Sequence, residues 1–248
     1  MPETSTSRPN GHATNGAAEP ELVYFDHSPR SVALVAMGPS TVGFLAETLT
    51  QELTPEWADE IWAINMAANG VWHDLVFWMD DLTSQQAFRP GLIELLKRRG
   101  KPVITSRRDT AILPNSYDYP IAEVIPIALR HFATPYLNNG VAMAIAYAIV
   151  KRVQLLRIYG ADFTYPDRAY AESGRACVES WVMVARESGM DVRLTPSTSL
   201  FDVGGCKGVY GYAAQPEFTM PDGTVAKYIS DPNAPPPQTY VAENAGHA

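Results

Sequence analysis

The segment Ser31–Leu45, SVALVAMGPSTVGFL, constrains the fold more than any other stretch. Val32 to Met37 runs apolar or small without a charge and stops at Gly38-Pro39-Ser40, after which Thr41 opens a helical pattern. An uninterrupted apolar run closed by a turn is the pattern of a strand buried on both faces, as parallel sheets require. Gly38 lacks a Cβ, so the backbone can turn there and approach a ligand closely. Pro39 fixes φ, and Ser40 or Thr41 can cap the helix. Such a strand–turn–helix either aims backbone N–H groups at an anion above the strand end or is an ordinary βα turn. The rest of the chain has to decide between the two.

A chain of 248 residues with 46% hydrophobic content can bury a full core, and one large domain is expected. The net charge of −8, with basic residues clustered only in KRRGK and SRR, argues against nucleic acid as the main partner. No apolar stretch of about 18 residues suggests a transmembrane helix, and the N-terminus lacks a signal-peptide layout. Cys177 and Cys206 show neither metal spacing nor a disulfide framework. A cytoplasmic protein is the expectation. Residues 1–21 are rich in Ser, Thr, Asn, Gly, Ala and Pro and read as a disordered tail.

Strand and helix signals alternate after the opening unit. Val42, Leu45, Leu49 and Leu53 recur at helical spacing, which predicts a helix over Thr41–Leu53 with those residues on its apolar face. Strands are expected at Glu60–Asn65, Asp74–Met79, Pro102–Ser106, Gln154–Tyr159 and Asp191–Thr195, with an edge strand at Leu22–Phe25. Helices are expected at Gly91–Arg99, Asn138–Val153 and Tyr170–Ser188. Asn138 or Asn139 would cap the second, and Cys177, Trp181, Val184 and Ala185 would form the inner side of the third. Ala111–Pro135, punctuated by proline, reads as irregular with a short strand at Ala122–Ile125. The fold class predicted is α/β, Rossmann-like and doubly wound, a mainly parallel sheet with helices on both faces. The nucleotide-binding domain would span 22–203. Residues 204–248 would form an appendage, with a hairpin around Pro221-Asp222-Gly223 and a flexible end.

Ligands of open parallel sheets sit beyond the carboxyl ends of the strands, so the residues there are the candidates. In chain order they are Gly38-Pro39-Ser40, Asn65, Asp80-Asp81, Arg107 with Arg108, Asn139-Gly140, Asp162-Phe163, and Ser197 with Ser199. Each has a plain alternative. Asn65 suits a turn, and Asp80 and Asp81 could hold Mg²⁺ with phosphates, meet a ribose hydroxyl, or cap a helix. Asn139-Gly140 is a helix start before it is a sugar or phosphate contact. Asp162 is a buried anchor or a catalytic group, and the arginines meet an anion or only solvent.

The ordered segments VAMGPS, DEIWAIN, DLVFWMDD, NNGVAMAIAYAIVKRVQLLRIYGADFTY and GMDVRLTPSTSLFD resemble the bacterial sialyltransferase-like group. That group comprises lipooligosaccharide sialyltransferases and motility-accessory-factor glycosyltransferases, and archaeal hydroxymethylpterin pyrophosphokinases share a similar core. The resemblance covers roughly Ser31–Asp202. It implies a donor site in which Gly38, Pro39 and Ser40 face the donor phosphate and ribose, and Asn65 contacts the nucleotide. Asn139-Gly140 would meet the sugar or phosphate, Asp162-Phe163 would line the base pocket, and Ser197 and Ser199 would lie nearby. The group's lid histidine has no counterpart in FTYPDRAYAESG, where Tyr165 and Tyr170 could serve the leaving phosphate and Glu172 could act as base.

Three functions are consistent with these residues. The first is a glycosyltransferase-like enzyme on a nucleotide-activated sugar, with Gly38, Ser40, Asn65 and Asn139 binding the donor and Asp80 and Asp162 positioning it. Tyr165, Tyr170 or Arg107 would then stabilise the leaving phosphate. The second is Mg²⁺-dependent phosphoryl or pyrophosphoryl transfer through Asp80, Asp81 and Asp162. The third is a catalytically idle nucleotide-binding protein. The acceptor is not legible, and self-association is compatible with each.

Overall fold

The computed structural model describes residues 22–50, 57–202, 217–219 and 225–227. Its first strand, β1 (Ser31–Val35), is buried at every position, and its side chains alternate between two separate cores. Val32 and Leu34 enter one core, Ala33 and Val35 the other, so both faces of the strand exclude water. The same division runs through β2 (Glu60–Ile64) and β3 (Leu75–Trp78): Trp62 and Phe77 face one side, Ala63 and Trp78 the other. With β4 (Val103–Thr105), β5 (Ser116–Asp118), β6 (Leu155–Tyr159) and β7 (Asp191–Leu194) they form a seven-stranded sheet ordered β5-β4-β3-β2-β1-β6-β7. Every pair in it is parallel.

Helices cover both faces. α1 (Thr41–Thr50), α2 (Ala67–Gly70), α3 (Leu82–Phe88) and α4 (Pro90–Arg99) supply one core. α5 (Ile121–Phe132), α6 (Gly140–Val150) and α7 (Arg168–Glu187) supply the other. α6 is buried along most of its length, as its apolar circumference requires. Cys177, Trp181, Val184 and Ala185 of α7 all lie in its core. Truncating a fully buried tryptophan such as Trp181 costs about 3–5 kcal/mol.

Several expectations need correction. Ala111–Pro135 is not irregular: it holds β5 and the twelve-residue α5, with Pro126 inside the helix, and Ala122–Ile125 is helical rather than extended. α1 does not bury its predicted face. Val42, Leu45 and Leu49 are exposed, Leu49 at 86%, and the buried residue is Phe44, packed on Trp57 and Tyr159. Leu53 lies outside the described residues. α7 starts at Arg168, two residues early, because Asp167 caps it through the Tyr170 N–H. Leu22–Phe25 forms no regular strand, although Val23 exchanges hydrogen bonds with Asp118 on the outer edge of β5. In the C-terminal stretch β8 (Glu217–Thr219) and β9 (Val225–Lys227) pair antiparallel on either side of the expected turn. The 1–21 tail lies outside the described residues, as does most of 204–248. Among the described residues no helix is long and apolar enough to cross a membrane.

His73 is buried between β2 and β3, with Nδ1 3.0 Å from the Val71 carbonyl oxygen and 3.2 Å from Arg99 Nη1. Burial, with Arg99 adding to it, holds its pKa below 6.5. The unfolded chain therefore takes up this proton near pH 6.5 while the folded chain resists it. The His73 contribution is complete above that pH and is lost as pH falls through it towards the folded value. Denaturant midpoints measured from about pH 8 to about pH 5 should fall, and His73→Gln should flatten the slope. An unchanged slope in the variant would place the effect elsewhere.

Candidate functional site

Strand order reverses between β1 and β6, since the chain winds outward from β1 to β5 and then returns to β1's other side. A crevice at the strands' C-terminal ends is expected at that point. Here the two strand ends are stitched together. The Ala36 N–H donates to the Tyr159 carbonyl at 2.9 Å, and the Gly38 N–H to the Gly160 carbonyl at 2.7 Å. The Gly160 N–H donates to Ser40 Oγ at 2.9 Å, and the Ser40 N–H to Asp162 Oδ2 at 2.6 Å. Thr41 Oγ1 closes the turn on the Ala36 and Gly38 carbonyls, each at 2.7 Å. Neither glycine has room for a side chain. A Cβ at Gly38 would meet Asp162 Oδ2 at 2.4 Å, and one at Gly160 (φ +71°) would meet the Ala36 carbonyl oxygen at 2.3 Å.

This stitching overturns the reading of Gly38-Pro39-Ser40 as an open phosphate cradle. The Gly38 and Ser40 donors are used within the protein, and the anion before α1 is the Asp162 carboxylate. Ser40 is 1% exposed and cannot reach a donor, and neither Ser40 nor Thr41 caps α1 with its side chain. Of the two readings of Asp162, the structure shows the buried anchor.

Next to the stitch lies a cavity of about 680 Å³. Gly38, Asn65, Asp80, Asn139, Gly140, Asp162, Phe163, Tyr165 and Tyr170 all contribute to its wall, so residues from five separate segments meet there. Met37, Met66, Met79 and Met143 give it an adaptable apolar lining. Asn65 and Asp162 both contribute to the wall, and each carries a buried acceptor, Oδ1, that takes no hydrogen bond among the described residues. Asn65 holds its position with φ +48°, a conformation asparagine tolerates, and its N–H donates to the Phe77 carbonyl. Asn139 has less to offer, because Oδ1 caps α6 through the Ala142 N–H and Nδ2 donates to Asn138 Oδ1 and the Gly174 carbonyl. Gly140 and Val141, the first residues of α6, face the cavity and bring the positive end of the helix to it. Phe163 lies against Gly174, where a Cβ would come within 2.6 Å of its ring. The Tyr165 and Tyr170 rings stand edge-on, 5.2 Å apart. Burial, and secondarily Tyr170, pushes the Tyr165 hydroxyl above its usual range, so it remains a donor.

No family profile and no curated protein matches the chain. Among solved structures it is similar to the sialyltransferase CstII from Campylobacter jejuni. The complex with the substrate analogue CMP-3FNeuAc aligns at 13% identity and a TM-score of 0.44, over 69% of this chain and 83% of that one. The complex with cytidine-5'-monophosphate gives 13% and 0.44, over 70% and 83%. A point mutant of alpha-2,3/8-sialyltransferase CstII gives 12% and 0.45, over 69% and 84%.

Other candidates lie apart from the cavity wall. Asp81 is the N-cap of α3: the Ser84 N–H donates to it at 2.7 Å and holds its carboxyl below the usual range. The magnesium reading needs that carboxylate, and among the described residues no group of three or more His, Cys, Asp or Glu is placed to hold a metal. Arg107 is exposed, and Arg108 is spent on Asp118. Glu172 is exposed, lies outside the wall and pairs with Arg175 at 2.8 Å. Pro39 and Ser197 are exposed beyond the wall, and Ser199 Oγ donates to the Asp162 carbonyl. Sequence reasoning missed Arg89, which lies between α3 and α4 and is the sole Lys or Arg on the wall among the described residues. Its only signal was the following Pro90, a helix-start residue.

Gly160→Ala should cost at least about 2 kcal/mol through its positive φ and the clash with Ala36. Asp162→Asn should cost about 1–3 kcal/mol by weakening the bond to the Ser40 N–H. Thermal unfolding reads both, at about 2–4 °C per kcal/mol for a domain of this size. Wild-type midpoints in both variants would contradict the stitching.

Proposed function

We propose that the rim cavity binds a nucleotide-activated sugar and that the protein is a glycosyltransferase-like enzyme. The observation that carries this is the meeting of Asn65 and Asp162, each with a buried Oδ1 that has no partner among the described residues, on the wall of a cavity of about 680 Å³. Buried acceptors without donors are rare in folded proteins, and a ligand rich in hydroxyl and amino donors satisfies them. Asp80 adds an exposed carboxylate suited to ribose or sugar hydroxyls. The diphosphate or phosphate goes to the first residues of α6 and the Arg89 guanidinium, the positive groups on the wall among the described residues. The Tyr165 and Tyr170 hydroxyls donate to the departing phosphate as its bond to the anomeric carbon breaks, while the oxygen of an acceptor hydroxyl forms the new bond to that carbon and releases its proton to water. Positioning and charge stabilisation carry this reaction, because a nucleotide phosphate leaves readily. The methionine wall and Phe163 accommodate the base.

A thermal-shift series with CMP, UDP, GDP and ADP and their sugars tests the site. A genuine ligand at about 100 times its Kd adds about 2.7 kcal/mol and raises the midpoint by about 5–11 °C. Asn65→Ala and Arg89→Gln should each weaken that response about tenfold or more. A flat response to every nucleotide would overturn the proposal. Tight binding with donor turnover at background would leave a nucleotide-binding protein and remove the transferase.

A further inference from the structure

A second cavity lies on the α1 side of β6 and β7 and shares no residue with the rim cavity. It measures about 370 Å³ and is walled chiefly by Glu47, Trp57, Arg157, Tyr159, Arg193 and Thr195. Strand alternation creates it. Leu156, Ile158 and Val192 enter the core beneath α7, so Arg157, Tyr159 and Arg193 face the opposite way. Arg157 and Arg193 are register partners on the parallel pair, which sets their backbones about 5 Å apart. Two guanidinium groups side by side repel unless an anion joins them.

Their protein partners leave that requirement open. Arg193 spends Nε and Nη2 on Asp191 Oδ2, at 2.9 and 2.8 Å, with Nη1 left over. Arg157 is half-buried, lies over the Trp57 ring at 5.5 Å, and donates from Nη1 to the Trp57 carbonyl. It pairs with no carboxylate among the described residues. Glu47, a carboxylate on the same wall, accepts at Oε2 from Trp57 Nε1 at 3.1 Å and from the Tyr159 hydroxyl at 2.8 Å. Gly43 of α1 leaves space for the Thr195 hydroxyl, which a Cβ there would meet at 2.6 Å. On a chain of net charge −8 this cationic pair is a local feature.

We propose that this cavity binds an oxyanion, the phosphate or carboxylate group of a small ligand, between Arg157 and Arg193 with the Thr195 hydroxyl beside it. The planar fork of Arg157 matches two oxygens of such a group, which a lysine cannot reproduce.

Titration of the full chain with inorganic phosphate and, separately, with malonate at low ionic strength tests this, followed by the indole N–H signal of Trp57 in NMR spectra. The expected result is a saturable shift of that signal with at least one of the anions, and the anion that produces it identifies the group. Arg193→Gln, at an exposed position, should weaken the binding about tenfold, and Arg157→Lys should weaken it at least as much. Arg130→Gln makes the same charge change on α5 and should leave it unaltered. No saturable shift with either anion overturns the proposal, as does wild-type binding in Arg193→Gln or an equal loss in Arg130→Gln. If Arg157→Lys does not fold, Arg193→Gln decides.

Discussion

The bond from the Ser40 N–H to the Asp162 carboxylate holds the rest of the rim in place. It joins residues 122 positions apart and sits where the first turn of α1 favours a negative charge. The chain thus supplies its own anion to a turn that otherwise suits a phosphate. Gly38 and Gly160 make this possible, because a Cβ on either would separate the ends of β1 and β6. A strand end locked in this way is a rigid wall, and Asp162 keeps one carboxylate oxygen, Oδ1, without a partner among the described residues.

The chain before α6, which also lines the cavity, is secured by a second set of contacts. Trp181 Nε1 donates to the Tyr136 carbonyl at 2.6 Å, and Cys177 Sγ approaches the same oxygen at 3.5 Å. Asn138 reaches Ser173 and Asn139 reaches Gly174, so the chain before α6 is clasped to α7. Phe163 fills the space that Gly174 leaves. The positive end of α6 is therefore aimed at the cavity by hydrogen bonds of which those to Gly174 and Tyr136 are partly buried. The less constrained members of the wall are Tyr165, Tyr170 and Arg89, all exposed, which suits groups that adjust around a ligand.

Six of the seven sheet strands were legible because a parallel sheet buries both faces, and runs such as VALVA, IWAI and LVFW, closed by turn residues, have the pattern such a sheet needs. α5 was hidden by Pro126, which deprives a helix of one N–H and reads as a break, yet Val124 and Ala128 still dock on the core. α1 misled for the opposite reason. Val42, Leu45 and Leu49 have ideal spacing, but the stitched turn sets the helix's rotation and lays Gly43 over Thr195, so Phe44 is the residue driven inward.

What the sequence by itself determined is the wound α/β frame and the handful of loops at its carboxyl edge, because apolar runs and turn residues act locally. Which atoms of those loops remain available was settled only by tertiary structure. Residues as far apart as Ser40 and Asp162 satisfied one another, Glu172 turned to Arg175, and Asp81 to its own helix. Hydrogen-bonding capacity is finite, and its distribution depends on neighbours in space that no linear pattern records.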